Sequence, residues 1–222
     1  MSSSAVARFW PLHDLRVRTE RLELRIPSYD DLIALGTLAY DGIHDPEEMP
    51  FGVPWTDAPP AERARATMQW HWKTLSEISA DQWSLPFVVV EDGAVVGMQE
   101  ARAEKFAVRR EVHTGSWLGR VHQGRGIGTQ MRAAVLHLAF AELGAEWATT
   151  TAFEDNAASN GVTRRLGYDL VGWEIAERRG KPARQNLYRL GREQWAAQER
   201  IPVEVTGVEE CRPLLGADWT GD

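Results

Sequence analysis

The sequence predicts an α+β domain built around a mixed, mostly antiparallel central sheet flanked by helices. Three observations carry that prediction. Two β-branched runs flank Asp92-Gly93, a strong two-residue hairpin signal. The stretch "RVHQGRGIGTQM", 120–131, stands between a strand pattern and a long apolar helix pattern that a further strand follows, which makes a βαβ-like unit. The element order, β-α-α-β-β-β-α-β-α-β-β, keeps most strands in hairpins instead of alternating them with helices throughout.

Taken in order, residues 1–18 carry no clear pattern and read as an arm. "RLELRI" at 21–26 sets Leu22, Leu24 and Ile26 on one face against Arg21, Glu23 and Arg25, the alternation of a half-buried strand. Ser28 and Asp31 are spaced as a capping box, so a helix starts there. Residues 41–60 are rich in proline, glycine and acid and read as a long loop, a candidate substrate lid. Over 60–79, Ala64, Met68, Trp72, Leu75 and Ile78 recur at helical spacing. The hairpin follows, then a third strand at 111–119.

In the helix after the glycines, Ile127, Met131, Val135 and Leu138 mark one stripe, and Leu136, Phe140 and Leu143 another. A helix apolar on two sides is buried by more than one neighbour. A strand at 147–153, a helix at 156–167 ending on Gly167, and strands at 168–177 and 184–190 complete the sheet. The domain is thus expected over 19–192, with the arm before it and a C-terminal extension, 193–222, of one short helical piece and a polar tail without core signal.

Composition narrows the function classes. A net charge of −7 argues against broad nucleic-acid binding. No apolar run approaches membrane-spanning length, and "MSSSAVARFW" lacks the features of a secretory signal. One cysteine, Cys211, excludes an internal disulfide framework and a cysteine-based zinc site, and fits a reducing cytoplasm. The six histidines show no metal-ligand spacing, so no metal is expected. Ten tryptophans are unusual; most are expected in the core, and a few are candidates for a pocket wall.

The glycines pose the functional question. The dinucleotide pattern GxGxxG fails, because its last position falls on Thr129 or Met131, and no Gly-Lys pair makes a P-loop. What remains is Gln123-x-x-Gly126-x-Gly128 at the start of a helix. Glycines admit positive φ and close backbone approach, and successive N–H groups at a helix N-terminus favour an anion. Arg120 and Arg125 add positive charge, so a pyrophosphate is the natural guest; a plain glycine turn is the alternative.

The neighbouring residues carry a resemblance. Gln123 to Gly128, followed by Asn156, Ser159, Gly167 and Tyr168, resembles the GNAT acyl-CoA N-acyltransferases, particularly their RimJ/RimL-like branch. The likeness is close over 115–168 and looser over 21–190; "HDPEEMPFGVPW" and "GSWLG" further resemble a mycobacterial succinyl-CoA-dependent member. It implies a GNAT fold with a splayed strand pair that admits a coenzyme A thioester, acetyl-CoA or succinyl-CoA. The cofactor-binding residues would then be Trp117, Leu118, Gly119, Gln123, Gly124, Arg125, Gly126, Ile127, Gly128, Thr129, Asn156 and Ser159. A backbone N–H near Leu118 and Gly119 would polarise the thioester carbonyl. Asn156 would hold the pantetheine arm and Ser159 would protonate the departing thiolate, although either could instead cap the helix.

Many members that acetylate ribosomal proteins carry a glutamate near position 151 and a tyrosine at position 163. Here both are threonine, which leaves Glu100, His113 and Glu154 as candidate bases. For the acceptor, His44, Asp45, Phe51, Trp55, Trp83 and Gln99 are the candidates, with Glu47 and Glu48 adding negative charge for an ammonium group. The resemblance implies direct attack by a primary amine, on a small molecule or a protein N-terminus, and allows a homodimer. The alternatives are an antibiotic or small-metabolite acetyltransferase and a non-catalytic acyl-CoA sensor.

Overall fold

Residues 6–218 are described by the computed structural model. Strands β1 (Arg16–Arg18) and β2 (Leu22–Arg25) lead into helices α1 (Tyr29–Asp41) and α2 (Pro60–Ser76). β3 (Gln82–Glu91) and β4 (Ala94–Glu104) form the hairpin, and one helical turn, α3 (Phe106–Arg109), precedes β5 (Glu111–Leu118). α4 (Ile127–His137), β6 (Trp147–Phe153) and α5 (Ala157–Arg165) follow. β7 (Asp169–Arg178), β8 (Lys181–Gly191), α6 (Arg192–Ala196) and β9 (Glu204–Thr206) come last.

The nine strands make one sheet in the order β7-β8-β6-β5-β4-β3-β2-β1-β9. Every pairing is antiparallel except β5 with β6. Local sequence explains the main turns. Ser28 and Asp31 close a reciprocal capping box on α1. Asp92 and Gly93 both take positive φ, as a tight primed hairpin turn requires. α1 packs Leu35 over Val88, Val90 and Met98 on one face of the sheet. The large core, including both apolar stripes of residues 127–143, fills the other.

One feature of the sheet positions the site. β5 and β6 pair only from Glu111 to His113 against Trp147 to Thr149, and then part. Two threonine hydroxyls replace backbone partners at the apex of the fork: Thr150 donates to the Thr114 carbonyl (2.9 Å) and Thr114 to the Thr149 carbonyl (3.4 Å).

Three expectations are corrected. The arm and the tail both enter the core: Leu12, Leu15, Val17, Cys211 and Leu215 are all fully buried. β1 and β9 pair with each other at the sheet edge. Strands of three residues are too short for alternation to register, so pattern reading passes over them. On α2 the buried face centres on Thr67 and His71, whereas Trp72 turns outward and stacks on Tyr29. Steps of three and four residues from Ala64 lead to both 71 and 72, and the polar residues took the inner positions. Among the described residues no helix is long and apolar enough to cross a membrane.

Candidate functional site

A cleft of about 720 Å³ opens where β5 and β6 part. Its floor and walls come from Trp117 and Leu118 on β5, the loop residues Gln123, Gly124 and Gly126, Gly128 and Thr129 on α4, and Asn156 and Ser159 at the start of α5. Gly124 and Gly126 adopt φ of +73° and +82°, and a Cβ on either would meet no protein atom within 4 Å. The loop therefore presents open backbone at the N-terminus of α4, the geometry that suits a phosphate. Arg165, in the last turn of α5, lines the cleft, as do Arg102 and Arg132. Sequence reading missed Arg165 because a basic residue at a helix C-terminus is ordinarily explained by the helix dipole.

Other expected cofactor contacts fall elsewhere. Arg125 turns away from the cleft and pairs with Glu91 at 3.0 Å, a carboxylate it shares with Arg21. The side chain of Ile127 is wholly in the core. The Gly119 N–H is not free, since it donates to the Val96 carbonyl (3.0 Å). By strand alternation the N–H of Leu118 is the one that faces the gap. Gly97 fixes this end of β5, because a Cβ there would collide with the Trp117 carbonyl and the Leu118 backbone.

Gln123 serves as a clasp: its Nε2 donates to the carbonyls of Ile43 (2.7 Å) and Leu118 (2.9 Å). Asn156 caps α5 by accepting the Ser159 N–H (3.0 Å) while also lining the cleft. Glu154 lies outside the cleft. It sits at the solvent side of the β6–α5 turn, paired with Arg184 at 3.4 Å.

Across the sheet a second cavity of about 410 Å³ runs along α2, and the two share Glu100, Arg102 and His113. Glu100 accepts a hydrogen bond from the Ser84 hydroxyl (2.6 Å). Its other oxygen lies over Gly115, where a Cβ would come within 3.3 Å of it. Burial, with Arg102 and Arg132 nearby, pushes His113 down to about 4. The imidazole is therefore neutral near pH 7 and its Nδ1 lies 3.2 Å from the Thr149 hydroxyl.

The loop expected to meet the acceptor does reach the cleft through His44, Glu48 and Phe51. His44 holds the loop together by bridging the Thr56 hydroxyl (2.7 Å) and the Asp45 carbonyl (2.8 Å). Trp55 stands behind Phe51 (ring centroids 5.4 Å apart) and against Trp117 (5.8 Å). Asp45 accepts the Glu47 N–H and does not line the cleft. Trp83 is not at this mouth. It is 2% exposed, packs on Phe106, donates its indole N–H to the Leu215 carbonyl (2.8 Å), and borders only the smaller cavity. Gln99 is fully buried, its amide nitrogen bridging the Glu100 and Gly115 carbonyls. Trp83 on β3 and Gln99 on β4 lie on strands buried on both faces, which periodicity alone does not distinguish.

Residues 21–169 match the acetyltransferase (GNAT) domain family. Among solved structures, Mycobacterium smegmatis RimJ in complex with a CoA disulfide is similar, with a TM-score of 0.66 and 20% identity, covering 89% of this chain and 91% of that one. A RimL ribosomal L7/L12 α-N-protein acetyltransferase in complex with coenzyme A gives 0.62 and 21%, covering 78% and 95%. The microcin C7 self-immunity acetyltransferase MccE, in complex with acetyl-CoA and AMP, gives 0.60 and 19%, covering 78% and 93%. At these identities the likeness to solved structures speaks to the fold.

Proposed function

The chain belongs to the GNAT acetyltransferase family, and on that premise we propose that it moves an acyl group, acetyl or succinyl, from a coenzyme A thioester to a primary amine. The observation that carries this reading is the forked cleft, lined by open glycine backbone and by Glu100 and His113, which it shares with the smaller cavity. The pyrophosphate lies on the backbone of 124–128 beside Arg165, and the pantetheine arm follows β5. The Leu118 N–H donates to the thioester oxygen, whose charge grows as the carbonyl carbon becomes tetrahedral.

The amine enters from the smaller cavity or the Phe51 mouth and attacks that carbon directly. Its nitrogen–carbon bond forms as the carbon–sulfur bond breaks, and no acyl-enzyme forms, because Cys211 is buried far along the chain. The amine's surplus proton passes to Glu100, directly or through water, and the thiolate takes a proton through Ser159. His113, neutral near pH 7, adds no positive charge that would repel the incoming ammonium. The glutamate and tyrosine of other branch members are not needed if Glu100 does this work.

Thiol release from acetyl-CoA and succinyl-CoA, measured against a panel of peptide N-termini and small amines, tests the proposal. Thiol release with amide formation on one class supports it and names that class. Absence of coenzyme A binding would overturn the cleft assignment, and tight binding without thiol release on any amine would favour the acyl-CoA sensor.

A further inference from the structure

The smaller cavity, along α2, is lined by the carboxylates of Glu77, Glu100, Glu104 and Glu111 and by the guanidiniums of Arg102 and Arg109. Most of these charges are already matched. Arg109 lies between Glu104 (3.8 Å) and Glu111 (3.3 Å), Glu111 also meets Arg189 (3.6 Å), and Glu77 meets Lys73 (3.9 Å). Glu100 and Arg102 are the exceptions: among the described residues neither forms an ion pair. They stand at alternate positions of β4 and so share one face of it. Ser84 accounts for their separation, since its hydroxyl holds one Glu100 oxygen (2.6 Å) while the other lies over the bare Gly115 backbone. His113, opposite Arg102 on β5, is neutral near pH 7 and adds no charge. Where the two cavities join, one unmatched negative group thus stands beside one unmatched positive group.

Resting on the acyltransferase reading above, we propose that the acceptor is a free α-amino acid, bound in the smaller cavity with its ammonium on Glu100 and its carboxylate on Arg102. Same-face neighbours on a strand lie roughly 6–7 Å apart. An ammonium and a carboxylate joined through one carbon fill that span once each makes its hydrogen bond. The strand register sets the order. Glu100 pairs with Gly115, where β5 has already left β6, whereas Arg102 pairs with His113, the last residue of β5 still joined to β6. The amine therefore faces the open fork that takes the thioester, and the carboxylate is held at the closed end. The amino-acid side chain runs out along α2 past Trp70, which lines the cavity and is 40% exposed. The volume of about 410 Å³ stands near the lower end of small-molecule pockets, roughly 300–1,000 Å³. A protein N-terminus carries an amide where the carboxylate would be, and leaves Arg102 unmatched. A site built to hold a polar group selects against analogues that lack it.

Thiol release from acetyl-CoA and succinyl-CoA tests this, measured on the full chain with α-amino acids of every side-chain class, their carboxamides, and peptides beginning with the same residues. The best free acid is expected to exceed its own carboxamide in kcat/KM by about tenfold or more, the scale of one charge-assisted hydrogen-bonded pair. Arg102→Gln is expected to erase that preference by raising KM for the acid about tenfold and KM for the carboxamide little. Comparing the same two amines in wild type and variant cancels their different basicities. Arg102→Lys keeps the charge without the planar fork, and should the glutamine variant not fold, it is expected to reduce the preference several-fold. Equal or better use of carboxamides or peptides by the wild type overturns the proposal, as does a preference for the acid that survives either substitution. Thioester binding without thiol release on any amine, or no thioester binding at all, instead overturns the acyltransferase reading on which this one rests.

Discussion

At the scale of single residues, the glycine loop was legible and its charges were not. A run of glycines announces unusual backbone locally, and Gly126 does hold positive φ at the start of α4. The partner of Arg125 lies thirty-four positions earlier in the chain, so no spacing rule points to Glu91. Two glycines in the same motif should behave differently. Gly126→Ala is expected to destabilise by about 1 kcal/mol, since a left-handed conformation penalises any Cβ, and to weaken CoA binding about tenfold by turning the N–H groups. Gly128→Ala adds a Cβ in ordinary contact with Val162 (3.7 Å), so its stability should stay near wild type. Denaturant melts paired with CoA titration distinguish the two; equal losses would mean that crowding, not backbone conformation, governs the loop. Glu100→Gln keeps the Ser84 hydrogen bond but cannot take a proton. It is expected to lower kcat by about 10²-fold or more while sparing CoA affinity, and a loss under about threefold would move the base elsewhere.

Among the elements, long helices and strands could be read and their docking could not. The 41–60 loop announced itself by composition, yet what holds it is the β7–β8 turn. Arg179, at φ +52° in that turn, forks onto both oxygens of Asp57 and reaches the Pro46 carbonyl (3.0 Å). This ion pair holds the Asp57 carboxyl below its ordinary range. Neither partner belongs to a periodic pattern, which is why sequence gave no sign of the clasp. Because the pair is exposed, its removal should barely alter global stability. Arg179→Ala is instead expected to free the loop that carries His44 and Phe51, raising KM for the amine several-fold and speeding proteolysis within 43–57. Raising salt from about 0.05 to 0.5 M should mimic the substitution in the wild type. A variant with unchanged KM and unchanged cleavage would show that the turn and the loop are merely adjacent.

For the whole molecule, pattern reading recovered the succession of the longer strands and helices and the mixed, mostly antiparallel sheet, because alternation and helical period survive in single segments. It lost the edges, β1 and β9, and with them the closing of the core by Leu12 and Leu215, because three-residue strands declare themselves only once paired. It named His113 as a candidate base, but the desolvation of His113 and of His71 is a property of the assembled fold that no local pattern carries. His71 on α2, fully buried with its Nδ1 on the Thr67 carbonyl, is pushed down to about 4, and so is His113 at the fork; in both, burial is the larger cause. A histidine with a depressed folded-state pKa binds its proton more readily when unfolded. Between pH 6.5 and 4 the unfolded chain therefore holds about two more protons than the folded one, and stability falls as pH falls through that window. The expected slope is roughly 2.7 kcal/mol per pH unit at its steepest, with His137, lowered mainly by its partial burial, adding in the same sense. The carboxylates held low by arginine, Glu23, Asp31 and Asp155, enter only below their unfolded values of 4.5 and 3.8, so the upper part of the window belongs to the histidines. Urea melts between about pH 5 and 6.5 should follow this slope. His71→Phe, which fills the site without a titrating ring, should about halve it even if the midpoint moves. A flat profile over that range would mean that the folded chain admits these protons.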